Sequence, residues 1–325
     1  MNRPSDSSAL PLPALRVAVL VPCHNEEGAI GGVVADFRTA LPGAAIYVYD
    51  NNSADETASV ASAAGAVVRR ERQQGKGHVV RRMFADVEAD IYVLVDGDGT
   101  YDASAAPRLI ERLLSDRCDM VNARRVDHGS AVYRRGHRFG NRLLTGLVGR
   151  LFGARFDDML SGYRVFSRRF VKSFPALSTG FEIETELTVH ALSLAMPVTE
   201  VPTAYVERAA GTQSKLNTVR DGLRILGTIL QLTKEERPLF FFSLGFVVLA
   251  GLSVGLAIPV VLEWIQTGLV PRFPTAILSA SIMVLAFLSL TSGIIVSSVT
   301  RARREMRRLQ YLATPWLGVD TGKAV

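Results

Sequence analysis

The sequence predicts an α/β head with a mainly parallel central sheet, followed by two C-terminal helices long enough to cross a membrane. Three observations predict it. Short runs rich in Val, Ile and Tyr alternate with helical stretches over the first two hundred residues, carboxylates cluster where those runs end, and two uncharged apolar runs, 239–262 and 275–300, stand near the C-terminus.

Residues 1–14, rich in Pro and Ser with no apolar stretch before Leu15, read as a disordered leader and not as a signal peptide. The runs 15–21, 45–49 and 91–95 predict strands, and helices are expected between them, around 26–40, 55–64 and 77–85. Apolar runs of this continuity belong to strands buried on both faces. Ser53 and Asp55 are placed to cap the helix after Asn52. Residues 15–212 read as one α/β domain without internal repeat. A juxtamembrane amphipathic helix is expected over 213–236, where 216–232 alternates apolar and polar faces. The two-helix anchor takes 237–300, and 301–325 forms a basic tail.

A run of two dozen residues makes a helix of about 36 Å, which exceeds a hydrocarbon core of about 30 Å. Burial in a large soluble core is the alternative, and the length and absence of charge disfavour it. Lys234 and Arg237 precede the first run and Arg301, Arg303, Arg304, Arg307 and Arg308 follow the second, whereas the loop 263–274 carries only Arg272. The positive-inside rule then puts both termini and the head in the cytoplasm, at the inner membrane. Pro259 predicts a kink near the far end of the first span.

The chain has 325 residues and a net charge of +6, with much of the excess at the membrane flank and between Arg124 and Arg155. Basic residues beside a bilayer attract anionic headgroups, so membrane lipids are expected partners. No nucleic-acid motif or aromatic platform is present, and nucleic acid is not an expected partner. Two cysteines, Cys23 and Cys118, lie far apart without a zinc spacing, which fits a reducing compartment. Cys23 beside His24 reads as packing.

In open α/β sheets ligands collect beyond the carboxyl ends of the strands. Here those ends read Pro22-Cys23-His24-Asn25-Glu26, then Asp50-Asn51-Asn52-Ser53, then Asp96-Gly97-Asp98-Gly99, so three polar clusters are expected on one edge. Asp96 and Asp98, two positions apart, face the same way in an extended chain. Paired hard oxygens suit Mg²⁺ or Mn²⁺ and, through it, a nucleotide pyrophosphate. A calcium loop is excluded, because counting from Asp96 the sixth position is Tyr101 and the twelfth Pro107. Gly75-Lys76-Gly77 offers a cation and amide groups to a phosphate, or is an ordinary turn. It is not a Walker A sequence, and without G-x-G-x-x-G after the first strand a dinucleotide dehydrogenase is disfavoured.

The series Val19-Leu20-Val21-Pro22-Cys23-His24-Asn25-Glu26-Glu27, Asp50-Asn51-Asn52-Ser53, Gly75-Lys76-Gly77, Asp96-Gly97-Asp98 and Ser161-Gly162-Tyr163-Arg164 resembles family 2 glycosyltransferases. The likeness is nearest to dolichyl- or polyprenyl-phosphate hexose synthases of the bacterial two-span branch and covers nearly the whole chain after residue 15. It implies a GT-A fold, a nucleotide-sugar donor, Mg²⁺ or Mn²⁺, and a polyprenyl phosphate acceptor. By the same resemblance Pro22, Asn25 and Glu26 cup the base, Asp50 meets the nucleoside, and Asn52 and Lys76 belong to the nucleotide site. Asp96 lies near ribose and metal, and Asp98 is the direct metal ligand. Family members often place Gln two residues after the second Asp; this chain has Thr100, whose hydroxyl or a water would substitute.

The acceptor brings a dianionic head, which Arg matches by bidentate hydrogen bonding. Arg124, Arg134, Arg135 and Arg138 are the candidates, followed by 141–152 with Leu143, Leu144, Leu147, Val148 and Leu151 at helical spacing, either a lipid-facing helix or one packed on the head. Arg208 and Ser214-Lys215 match the family's basic pair near the membrane, so Arg208 and Lys215 are further phosphate contacts and Lys215 a catalytic candidate. Asp158 matches the acid before Ser-Gly and is assigned to positioning or base assistance.

The expected reaction is inverting transfer of a hexose from a UDP- or GDP-linked sugar to polyprenyl phosphate. Two rivals are a processive polysaccharide synthase and a non-catalytic nucleotide-binding scaffold. The first is expected to have more spans and a Gln-x-x-Arg-Trp element, and neither Trp264 nor Trp316 follows an Arg; the second is opposed by the intact Asp96 and Asp98. Sugar, base, metal and oligomeric state, a homo-oligomer included, stay open.

Overall fold

A computed structural model describes residues 15–126, 156–206, 227, 230–231 and 233–316. The chain divides into two compact units, Met1–Ile225 with Arg308–Val325, here called the head, and Leu226–Arg307.

The head is a seven-stranded sheet in the order β3-β2-β1-β4-β6-β5-β7. Its elements in chain order are β1 (Val17–Cys23), α1 (Glu27–Ala40), β2 (Ala45–Asp50), α2 (Thr57–Ala63), β3 (Val67–Arg70), α3 (Lys76–Asp86) and β4 (Ile91–Leu94). They continue with α4 (Ala106–Ser115), β5 (Met120–Val126), β6 (Arg164–Ser167), α5 (Arg168–Ser173), α6 (Ile183–Ser193) and β7 (Val198–Ala204). The strands β1 to β4 pair in parallel, β6 runs antiparallel between β4 and β5, and β7 is parallel to β5.

Alternation along the strands builds a three-layer core. In β1, Val19 and Val21 face one helical layer while Ala18 and Leu20 face the other; in β4, Ile91 and Val93 divide from Tyr92 and Leu94 in the same way. The first layer is formed with Ile30, Val34 and Phe37 of α1 and with Leu109 and Leu113 of α4. The second is formed with Val80, Met83 and Phe84 of α3, Phe170 of α5 and Leu187 of α6. Each such side chain taken from water contributes about 1.5–3 kcal/mol.

The expected strands and helices of the first hundred residues are present, with ends shifted by a residue or two, but β3 and β5 to β7 were not legible from the sequence. The edge strand β3 carries Arg69 and Arg70, β5 contains Asn122, Arg124 and Arg125, and β7 contains Glu200 and Pro202, so none shows a clean apolar run.

Within the head, residues after Arg308 lie against the start of β5. The Tyr311 hydroxyl donates to Asp119 Oδ2 at 2.7 Å, and the Arg169 guanidinium sits 4.6 Å above the Tyr311 ring. Asp119 is fully buried, and its other oxygen accepts from Ser167 Oγ at 2.7 Å and from Arg169 Nε at 2.5 Å. Trp316 Nε1 donates to the Cys118 carbonyl at 3.0 Å.

The second unit is built on a helical hairpin. Here α7 (Pro238–Thr267) and α8 (Phe273–Ala313) hold 30 and 41 residues, and both are long and apolar enough to cross a membrane. At 1.5 Å per residue they measure about 45 and about 60 Å. α7 ends at Gly268, whose φ of 71° places it in the left-handed region that closes helices. α8 does not stop at Thr300 but continues through the basic stretch expected as a tail, because Arg, Glu, Met, Leu and Gln are good helix formers and Pro comes only at 315. The buried residues of α8 are Ser279, Ala286, Gly293 and Thr300, a seven-residue spacing that sets one narrow seam. Ser253 Oγ donates to the Ser279 carbonyl at 2.8 Å, Ser279 Oγ donates to the Ser253 carbonyl at 3.0 Å, and a Cβ on Gly293 would crowd Phe242. Small residues allow this approach, as in helix pairs that associate without a hydrophobic driving force. At the hairpin's open end Glu236 pairs with Arg304 and, at 2.6 Å, with Arg307.

Candidate active site

Parallel pairing fixes where the polar clusters lie. The registers Cys23↔Asp50 and Leu20↔Leu94 carry the ends of β1, β2 and β4 to one edge of the sheet. There the loops after β1 and β2 are laced together. Asn25 N donates to Ser53 Oγ at 2.9 Å, Ala54 N to Asn25 Oδ1 at 2.8 Å, and Glu26 N to Thr57 Oγ1 at 2.8 Å. Asn25 and Asn52 hold φ near 52° and 60°, a region that Asn tolerates better than most residues.

Asp55 accepts from Glu27 N at 3.2 Å and from Thr57 N at 3.1 Å, so one carboxylate serves the first residues of both α1 and α2. Burial pushes this carboxyl up, yet the bonds from Thr57 and Glu27 hold it below its ordinary value. The expected capping role thus falls to Asp55; Ser53 is spent on Asn25.

Pro22 is half-buried at the end of β1, and Glu26 and Asp50 are buried on the same edge, where Asp50 Oδ1 accepts from Ser53 N at 3.2 Å. Asn51, which sequence reasoning passed over, braces the approach to Lys76. Its amide donates to the carbonyls of Glu71 and Gln73 at 3.0 and 2.8 Å and accepts from Gly75 N at 2.7 Å. Asn52 donates to the Arg72 carbonyl at 2.8 Å.

The glycines of Gly75-Lys76-Gly77 have a packing reason. A Cβ on either would collide with the backbone at Ser178 and Thr179, to which Gly77 N donates at 3.1 Å. This close approach sets Lys76 Nζ between Asp96 Oδ1, at 2.5 Å, and the Glu184 carboxylate of α6. Burial alone would lower the Lys76 pKa, but Asp96 and Glu184 reverse this and raise it; burial in turn raises Glu184, against the pull of Lys76.

Gly97 and Gly162 are also sites of close approach. A Cβ on Gly97 would overlap Cys23 Sγ, and one on Gly162 would overlap the Asp96 carboxylate. Gly162 is held in turn by Tyr101, whose hydroxyl accepts from its N–H at 2.8 Å, and by the turn at Arg164. The Arg164 guanidinium is fully buried and donates to the carbonyls of Met159 and Ser161 at 2.5 and 3.0 Å and to Thr188 Oγ1 at 2.9 Å. Burial lowers its pKa. Asp98 is buried and accepts from Thr100 N at 3.1 Å and Thr100 Oγ1 at 2.6 Å, so Thr100 orients the acid.

Asp96 and Asp98 offer hard oxygens, and among the described residues no three His, Cys, Asp or Glu side chains gather into a group that could hold a metal ion. That donor set fits Mg²⁺ or Mn²⁺ with most positions left to water and phosphate oxygens, and it does not fit a closed structural site.

Beyond β5, Arg124 pairs with Asp157 at 3.2 Å, and Arg125 forms a two-pronged pair with Asp158, both bonds 2.7 Å. The Arg125 guanidinium also lies 5.5 Å from the Tyr205 ring centroid. Asn122 ties this turn down through the Asp158 carbonyl at 2.8 Å and Glu200 at 2.7 Å. Both oxygens of Asp158 face Arg125. Arg134, Arg135, Arg138, Arg208, Lys215 and the helix expected over 141–152 lie outside the described residues. The sequence reading missed Glu184 and Arg125. The first had a signal, since Glu182, Glu184 and Glu186 alternate with Ile183, Thr185 and Leu187, and acids inside an apolar stretch are kept only with partners.

A mixed sheet with a parallel core and an Asp-Gly-Asp turn at the strand tips defines the class, a glycosyltransferase with a GT-A-like head. The chain belongs to glycosyl transferase family 2, whose pattern matches residues 18–174. It is 32% identical over 299 residues to glycosyltransferase AglJ of Haloferax volcanii, across 91% of this chain and 98% of that one. Dolichyl-phosphate hexose transferase of the same organism is 31% identical over 222 residues, 68% of this chain and 95% of that one. Among solved structures, glucosyl-3-phosphoglycerate synthase from Mycobacterium tuberculosis, in complex with Mn²⁺, uridine diphosphate and phosphoglyceric acid, shares the fold. It has a TM-score of 0.57 at 23% identity, covering 67% of this chain and 78% of that chain.

Proposed function

We propose that this chain transfers a hexose, with inversion, from a UDP- or GDP-linked sugar to polyprenyl phosphate at the cytoplasmic face of the inner membrane. One observation carries the reading: the strand-tip acids Asp96 and Asp98, each braced by its own neighbours, belong to the same chain as two helices of membrane-crossing length. The name of the Haloferax volcanii dolichyl-phosphate hexose transferase supports the acceptor, and the Mn²⁺ and uridine diphosphate of the M. tuberculosis enzyme support the donor side. Lys234, Arg237 and the arginines from 301 to 308 support the cytoplasmic orientation.

In this reading Asp98, aimed by Thr100, and Asp96, set against Gly162, would hold Mg²⁺ or Mn²⁺. When bound, the cation offsets charge growing on the departing diphosphate. The loops around Pro22, Asn25, Glu26 and Asp50 receive the nucleoside. An acceptor phosphate is already anionic at neutral pH, so a phosphate oxygen bonds to the anomeric carbon as the bond from that carbon to the diphosphate oxygen breaks. The electron pair leaves with the nucleoside diphosphate, and no proton has to be removed. Asp158 then serves by aiming Arg125, and rate comes from alignment and charge stabilisation.

The test uses the full chain purified in detergent, a panel of UDP- and GDP-linked hexoses, polyprenyl phosphate and Mg²⁺ or Mn²⁺. Formation of a lipid-linked sugar from one donor class, abolished by a metal chelator, is the expected result. Absence of transfer from every donor, or transfer that a chelator leaves untouched, would overturn the reading.

A further inference from the structure

Two carboxylates share one ammonium at Lys76. Their exposures differ: the Asp96 side chain is 29% accessible, against 7% for Glu184 and 9% for Lys76. Asp96 is therefore the member with an open face, and Glu184 is enclosed. The two acids also come from unconnected parts of the chain, Asp96 from just beyond β4 and Glu184 from the first turn of α6.

With Glu184 present, the cluster carries one positive and two negative charges. Glu184 balances the ammonium by itself, so the cluster keeps a net charge of −1 although Asp96 Oδ1 is also bonded to Lys76 Nζ. With Glu184 removed, Asp96 would become the single counter-ion of the enclosed Lys76 ammonium. A buried ammonium does not give up its last counter-ion without a large cost.

We infer that Glu184 is a positioning residue that serves as the enclosed second counter-ion of Lys76, so that Asp96, bonded to the ammonium through Oδ1, is not its sole counter-ion and can engage the divalent cation and nucleotide of the donor. This rests on the donor site proposed above. It gives Glu184 a role that neither packing nor direct ligand contact supplies, and it explains why an acid is buried in α6 beside a glycine-flanked lysine.

The experiment uses the full chain in detergent with uridine diphosphate and guanosine diphosphate as probes, titrated calorimetrically with and without Mn²⁺. Glu184→Gln keeps the shape of the side chain and should raise the Mn²⁺ concentration for half-maximal nucleotide binding about 10–100-fold, the range for partners of metal ligands. Nucleotide affinity without metal should stay at the wild-type value. Combining Lys76→Met with Glu184→Gln removes the competing cation and should restore metal dependence toward wild type, whereas a purely structural role would make the pair worse than the single change. Lys76→Gln with Glu184→Gln repeats the test with a polar replacement, and melting temperatures monitor folding throughout.

Unchanged half-saturation in Glu184→Gln, no recovery in either pair, or unfolding of both pairs would overturn the counter-ion role while leaving the transferase reading intact. A wild-type chain that binds neither nucleotide with Mn²⁺ would overturn both.

Discussion

In the head, charge is drawn inward: Asp98, Asp119, Arg164 and Glu184 are all buried; Thr100 holds Asp98 from two positions away, whereas Arg169, Thr188 and Lys76 reach Asp119, Arg164 and Glu184 from 50, 24 and 108 positions away. In the helical hairpin the residues turned inward are mostly small, Ser253, Ser279, Ala286, Gly293 and Thr300 beside Pro238 and Val260, while most Leu, Val, Ile and Phe cover the outside. The head tolerates costly buried charge because a few polar groups must be held in fixed geometry. The hairpin needs only close approach along one seam and an exterior compatible with lipid. One unit is specified by pairing, the other by size.

The sharpest way to break that contrast is at Asp98. Asp98→Asn keeps a similar shape but removes the charge, so kcat for lipid-linked sugar formation should fall about 10²-fold or more, the order seen when one charge-stabilising group is lost. Thermal unfolding should barely move. A large drop in melting temperature with activity retained would place Asp98 among the structural acids.

Gly162→Val comes next, because its side chain would occupy the space of the Asp96 carboxylate. Overpacking of this kind costs about 1–3 kcal/mol. Denaturant unfolding should register that loss, and nucleotide binding in the presence of Mn²⁺ should weaken with it. If stability fell and binding did not, Gly162 would matter for packing alone.

The smallest effects belong to the hairpin. Ser253→Ala removes one hydrogen bond of the Ser253 and Ser279 pair, a change worth about 0.6 kcal/mol in membrane helices, whereas Gly293→Leu should cost about 1–3 kcal/mol through overpacking. Unfolding in mixed micelles would rank them. The size rule requires the larger loss at Gly293, and the reverse order would show that hydrogen bonding dominates the seam.

Much of this contrast was readable in the sequence, unevenly. The hairpin was legible because lack of charge over two dozen residues is a strong signal; the continuation of α8 past Thr300 was not, since a basic flank looks the same as tail or as helix. The parallel half of the head was legible from β1, β2 and β4, whose apolar runs end in Asp and Asn. The strands β5 to β7 were hidden by their own polar residues, which serve the turn around Asp158. The strand-tip acids were visible as a motif, but the partners of Lys76 were not: Glu184 lies 108 positions away, and only folding brings it there. Thr100, met as a departure from the family's usual Gln, proved to be the hydroxyl that aims Asp98.

The contact of Tyr311 with Asp119 joins residues 192 positions apart and has a consequence for the order of assembly. Domains generally fold as units once their chain has been synthesised. Here two partners of the β5 start, Tyr311 and Trp316, are translated only after α7 and the apolar part of α8. Asp119 therefore gains its full complement of neighbours only once the end of α8 has been made, and a stop codon placed just after α7 would release a head with that socket open.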